Sequence, residues 1–180
     1  QDPSASVEDL TSLQWGFSND GSMDGISPDE AVDMGYDNWN DAEAAEVASL
    51  EDVVVAVIDS GVDASNPDLA SVMWDDGDTI DALFALGGDE HGLSTASGTT
   101  STAGLVNYHG THVAGIIAAN GDVKGVNPHA RIVGVRVTLP DSGSSTGESV
   151  YTSGIVRGLG WMVEAKRGYG VNIEGFNLSI

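Results

Sequence analysis

The chain of 180 residues has no cysteine, only six lysines and arginines together, and no stretch near the ~20 apolar residues that a membrane-spanning helix needs. Without thiols, neither a disulfide scaffold nor a thiolate zinc site can be built. The six cations face 28 aspartates and glutamates, for a formal charge of −22. Such a charge repels phosphate backbones and anionic lipid surfaces over a Debye length of roughly 8 Å, so neither nucleic acid nor a membrane is expected as a partner. Self-repulsion of this size is tolerated where salt screens it or cations bind it, which suggests a saline or calcium-containing medium. An acidic cytosolic protein is the alternative. The chain also lacks an initiator methionine and any charged segment followed by an apolar run at its start, and is read as a mature product whose signal and propeptide have been removed. There is no internal repeat and no linker that would divide it.

What is present is an apolar content of 41%, enough for one core in a chain of this length. One domain is therefore expected, with residues 1–50 as an arm and short helices and 51–180 as the folded body. In the first part, Ser27-Pro28-Asp29-Glu30 starts a short helix, with Ser at the cap, Pro at the first helical position and Glu three residues on. A second helix is predicted from Trp39 to Leu50.

Val53 to Ile58 is six apolar residues rich in β-branched side chains, with no polar alternation, and predicts a central strand covered on both faces. Gly110–Ala119 predicts a helix of small residues, Arg131–Val137 a second strand, and Gly147–Lys166 a long helix. Val171–Ile180 is strand-like, with its apolar parity flipping near Gly175, which marks a strand start or a bulge. Two stretches rich in Gly, Ser and Thr, about 87–107 and 141–147, are expected as loops. Strands alternating with helices predict an α/β fold with a parallel sheet flanked by helices.

In such sheets functional groups collect beyond the carboxyl ends of the strands, and Asp59 follows the apolar run. An isolated Asp-Ser-Gly more often simply turns the chain. A second motif changes that balance: Asn107-Tyr108-His109-Gly110-Thr111-His112 opens a helix with two histidines at i and i+3. A zinc helix wants an i, i+4 pair with a glutamate between, which is absent. A general base needs an imidazole at an exposed helix start with one nitrogen held by a carboxylate, and His109 fits that role. His112, one turn inside, is expected to be a hydrogen-bonded packing residue.

Val53 to Leu69 (VVVAVIDSGVDASNPDL), His109 to Gly115 (HGTHVAG), Gly125 to Pro128 (GVNP), Ile132 to Val137 and Asn177-Leu178-Ser179 together resemble the subtilisin-like serine proteases, in the same order. The resemblance implies a subtilisin-like fold, with 51–180 as the N-terminal part of the catalytic domain. It makes Asp59 the triad aspartate, His109 the general base and Asn177 a structural asparagine. It implies a serine endopeptidase that hydrolyses peptide bonds in polypeptide substrates, and extracellular location agrees with the trimmed N-terminus. Gly143, Ser144 and Ser145 resemble the family's substrate-binding segment, although a plain flexible loop explains their composition equally well.

Asp68 matches a carboxylate that binds structural Ca²⁺ in the family, yet calcium takes six to eight oxygens. The loop Asn120 to Lys124 that would partner it is short and carries a cation. Glu8 or Asp9 of the arm could contribute a further carboxylate. Asp75-Asp76-Gly77-Asp78 is a further oxygen-rich turn, for which a solvated acidic face is the commoner explanation.

The nucleophilic serine, the oxyanion-hole asparagine and the specificity-pocket glycines follow Asn177-Leu178-Ser179 in the family, so this chain alone is expected to be inactive. Loss of a triad member costs on the order of 10⁴ to 10⁶ in turnover. The fold is expected to be incomplete in this chain and to be joined by the C-terminal remainder, either continuous or as a separate chain. A non-catalytic binding or structural subunit is the alternative that the absent serine would predict. A nucleotide- or metal-binding α/β module is disfavoured, because no Gly-rich phosphate loop follows the first strand.

Overall fold

The computed structural model describes residues 53–75, 88–95, 101, 102, 105 and 107–180. The expected arm and helices of residues 1–50, with Glu8 and Asp9, lie outside the described residues, as do Asp76 to Asp78.

Strand β1 (Val54–Asp59) runs through the middle of a five-stranded sheet. Alternate side chains of a strand point to opposite faces. Val54, Ala56 and Ile58 pack in one core with Trp161, Met162 and Ala165, while Val57 packs in the other with Leu69, Ala114 and Ala118. Burying a Val or Ile side chain contributes about 1.5–3 kcal/mol, against roughly 1–2 kcal/mol to order one residue's backbone. A run with both faces covered is therefore committed to the sheet centre.

Strand β2 (Gly88–Asp89) and strand β3 (Gly92–Ser94) follow. Helix α1 (His109–Ala118) leads to strand β4 (Arg131–Arg136). Strands β5 (Thr138–Pro140) and β6 (Glu148–Val150) come next, then helix α2 (Thr152–Tyr169) and strand β7 (Ile173–Leu178). The sheet order is β2-β3-β4-β1-β7, and β3, β4, β1 and β7 run parallel. The parallel α/β sheet flanked by helices is as the sequence predicts.

Three local expectations are corrected. The predicted loop over 87–107 contains β3, whose Gly92 sits opposite Gly134 so closely that a Cβ there would lie within van der Waals contact of the Gly134 carbonyl. A three-residue strand that depends on a glycine at such an approach gives no periodic signal. The long helix begins at Thr152 and not Gly147, because Glu148–Val150 pairs antiparallel with Thr138–Pro140. The stretch 141–147 is accordingly the turn of a hairpin. Helix α2 also runs on to Tyr169 and stops at Gly170, whose φ of 73° is the left-handed conformation that glycine adopts without strain.

The parity flip near Gly175 is a real register shift: Val54 pairs with Ile173 and Val55 with Gly175, leaving Glu174 as the extra residue. Among the described residues β7 is the outer strand, and Phe176, Leu178 and Ile180 are exposed.

Candidate active site

Asp59 is the last residue of β1 and is 1% exposed. His109 is the first residue of α1, fifty positions later. Its Nδ1 lies 2.9 Å from both carboxylate oxygens of Asp59. An ionised carboxylate only accepts, so Nδ1 carries the proton and Nε2 keeps the lone pair in the neutral ring. The imidazole is 48% exposed, so one nitrogen is held from below while the ring stays open to solvent.

Local sequence builds this contact. Ser60 N–H donates to Asp59 Oδ1 at 2.7 Å, and the Ser60 hydroxyl donates to the Asn107 carbonyl and accepts from Gly110 N–H. The Asn107 side-chain oxygen accepts from His109 N–H at 2.9 Å. The strand end and helix start are thereby joined through the Asp59–His109 contact and the Ser60 hydroxyl, and Thr111 Oγ1 adds a further link by accepting from Asp63 N–H. Gly110 permits the approach: a Cβ there would stand 2.4 Å from the Gly61 carbonyl oxygen and 3.0 Å from Asp59 Cβ. Ser60 and Gly110 were not singled out from sequence as builders of the site. Their adjacency to the two motif residues was the available signal.

His112 departs from expectation. It is exposed, and lines a surface depression of about 590 Å³ with Asp63, Tyr108, Thr111 and Lys124. At i+3 from His109 it points away from the core, because Gly110, Thr111, Ala114 and Ala118 form the buried side of α1.

Gly143, Ser144 and Ser145 lie in the β5–β6 turn, on the end of the sheet where Asp59 sits, since β5 follows the register partner of Asp59 after one residue. The turn is ordered by its own bonds. Asp141 Oδ1 accepts from Gly143 N–H, its carbonyl accepts from Ser144 N–H, and its Oδ2 accepts from the Ser149 hydroxyl at 2.6 Å. The Ser149 hydroxyl first, and then the Gly143 N–H, hold the Asp141 carboxyl below its ordinary 3.8.

Asp68 is engaged by the chain itself. Its Oδ1 accepts from Asp122 N–H at 2.6 Å and Val123 N–H at 3.3 Å. A Cβ on Gly121 would stand 2.3 Å from that same oxygen, so the loop 120–124 closes directly onto the carboxylate. Among the described residues no three acidic or histidine side chains stand together in a group able to hold a metal. Oδ1 of Asp68 is thus committed to two backbone donors, whereas a calcium ion takes six or more oxygen ligands.

Sequence reasoning also missed Arg136 and Glu148, a buried ion pair beside the site. An arginine inside an otherwise apolar strand was the signal for it.

Ser60 is committed to the helix start, and the Ser179 hydroxyl donates to Asn177 Oδ1. Among the described residues no serine hydroxyl is hydrogen-bonded to His109. The arrangement can accept a proton at Nε2 and stabilise the resulting imidazolium through Asp59.

Residues 51–163 match the family model described as the subtilase family. The minor extracellular protease Vpr of Bacillus subtilis is 36% identical over 131 residues, covering 72% of this chain and 15% of that protein. The major intracellular serine protease of the same organism is 35% identical over 119 residues, 64% of this chain and 32% of its own. Fervidolysin of Fervidobacterium pennivorans is 32% identical over 156 residues, covering 83% and 18%. The chain thus spans less than a third of the length of each of these relatives.

Proposed function

The chain belongs to the subtilase family, and from that premise we propose that it carries the Asp–His half of a serine endopeptidase active site acting on polypeptides. The observation that carries the reading is the Nδ1 contact of His109 to both oxygens of a buried Asp59, with the imidazole half-exposed above it.

In the proposed reaction His109 Nε2 takes the proton of a serine hydroxyl as that oxygen attacks the scissile carbonyl. Asp59 holds the tautomer and stabilises the imidazolium without itself being protonated. The proton then passes to the leaving amine, an acyl-enzyme remains, and water completes hydrolysis by the same route reversed. The serine and the oxyanion-hole donor come from the C-terminal remainder of the protease, which also covers the outer edge of β7. The described residues alone are inactive.

Gly143, Ser144 and Ser145 form one wall of an extended substrate cleft in this reading. Small side chains on a turn suit backbone-to-backbone pairing with a peptide. Secretion belongs to the same reading. It is supported by the name of one relative as extracellular, while another relative is named as intracellular.

The test is fluorophosphonate labelling of the complete gene product. The expected result is stoichiometric labelling of one serine, abolished by His109→Ala. A folded protein that never labels refutes the reading and leaves a non-catalytic subunit in its place.

A further inference from the structure

Arg136 and Glu148 form an ion pair out of reach of solvent, with side chains 0% and 1% exposed and Nη2 2.5 Å from Oε1. The other oxygen of Glu148 accepts from the Thr138 hydroxyl at 3.1 Å. Arg136 is the register partner of Asp59 in the neighbouring parallel strand, so the two side chains share one face of the sheet. The Arg136 stem passes behind the active-site turn, with Cδ 3.3 Å from the place a Cβ on Gly61 would occupy. Glu148 opens β6, directly after the turn that carries Gly143, Ser144 and Ser145. The pair therefore ties the strand beside Asp59 to the hairpin.

A desolvated ion pair is a poor source of stability, because the desolvation penalty offsets the attraction and apolar replacement of both partners is often neutral or better. Fixing one geometry among several is its best-attested use. The hairpin needs such fixing: among the described residues β5 and β6 pair over three residues each, and only with one another. A two-stranded hairpin by itself is marginal in water. The charge-assisted bond from Arg136 Nη2 to Glu148 Oε1, with Oε2 held by Thr138, gives direction as well as energy.

We infer that Arg136 and Glu148 are a positioning pair that sets the hairpin turn relative to the Asp59–His109 contact, and so fixes where an extended substrate backbone lies against the catalytic groups. The inference rests on the proposed protease reading. It adds to that reading two residues that touch neither substrate nor the reacting atoms.

The test compares two substrates on the complete gene product: an extended peptide amide that must lie along the hairpin, and an activated ester of a single amino acid that need not. The double variant Arg136→Met with Glu148→Leu removes both charges and leaves neither buried alone. The expected result is a fall of about tenfold or more in kcat/KM for the peptide, arising mainly in KM, with ester turnover within about twofold of wild type. Arg136→Lys keeps the charge but loses the planar fork, and gives a smaller rise in peptide KM; it carries the test if the double variant does not fold. Unchanged peptide kinetics in either folded variant overturn the inference, as does an equal fall for both substrates. Failure of the wild type to turn over the ester or to label with fluorophosphonate is a different result, which removes the protease reading and this inference with it.

Discussion

Alanine at Gly110 and alanine at Gly115 place the same methyl group on the same helix, with opposite expected effects. At Gly115 an added Cβ meets nothing within 4 Å. A glycine in a helix interior costs about 0.8–1 kcal/mol relative to alanine, so Gly115→Ala should stabilise by nearly that much. At Gly110 the Cβ would stand 2.4 Å from the Gly61 carbonyl oxygen, 3.0 Å from Asp59 Cβ and 3.2 Å from Asp59 Oδ1. The first contact must open by about 1 Å to reach ordinary van der Waals separation. Its partner is backbone at the active-site turn, which has no rotamer through which to yield. Overpacking of this kind costs about 1–3 kcal/mol, partly offset by alanine's helix preference of up to ~1 kcal/mol, for a net loss of roughly 0–2 kcal/mol.

The larger effect is on chemistry. The displaced atoms carry Asp59 and His109, and a misplacement of about 1 Å costs about 10²-fold in rate. Urea unfolding followed by circular dichroism measures the first quantity, and the rate of fluorophosphonate labelling of the complete gene product the second. Gly115→Ala should unfold at higher urea and label at the wild-type rate. Gly110→Ala should unfold at equal or lower urea and label about 10²-fold more slowly. A Gly110→Ala protein that is stabilised like Gly115→Ala and labels normally would falsify the close approach of α1 to the end of β1.

Asp59→Asn keeps the shape of the side chain but no longer fixes the Nδ1–H tautomer, and should slow labelling by about 10⁴ with the fold retained by circular dichroism. Asp68→Ala leaves the N–H groups of Asp122 and Val123 without their acceptor, at a cost of about 1–3 kcal/mol, and should speed amide hydrogen exchange specifically in the loop 120–124. If exchange there is unchanged, that carboxylate is not what holds the loop. The Asp141 carboxyl is held low by Ser149 and Gly143, so the closure it gives the hairpin turn is whole above the ordinary aspartate value of 3.8 and is lost as pH falls below it. Protection of the Gly143 amide relative to its intrinsic exchange rate should fall in that acid range in the wild type, and show no such step in Asp141→Asn. Gly170→Ala, at a φ of 73°, should cost about 1 kcal/mol at the end of α2, read as a lower thermal midpoint.

The sequence by itself determined the elements whose energies are local. The unbroken apolar run from Val53 to Ile58 demanded a strand covered on both faces. The small residues after His109 demanded a helix that packs closely, and the parity change near Gly175 marked a strand start or a bulge, which the pairing resolves as the bulge that leaves Glu174 unmatched. It also marked Asp59 and His109, since each stands at the end of such an element within a distinctive motif. Only the tertiary structure decided that these two, fifty residues apart, meet at 2.9 Å, because that distance depends on how closely α1 approaches β1 across Gly110, Gly61 and Ser60. It likewise decided that β3 forms on a glycine contact, that residues 148–150 leave the predicted helix for a hairpin held by Arg136, and that His112 faces solvent. A strand or helix is selected by the periodicity of its own side chains. Contacts between elements are selected by the shape each presents to the other, and no stretch of either contains that information alone.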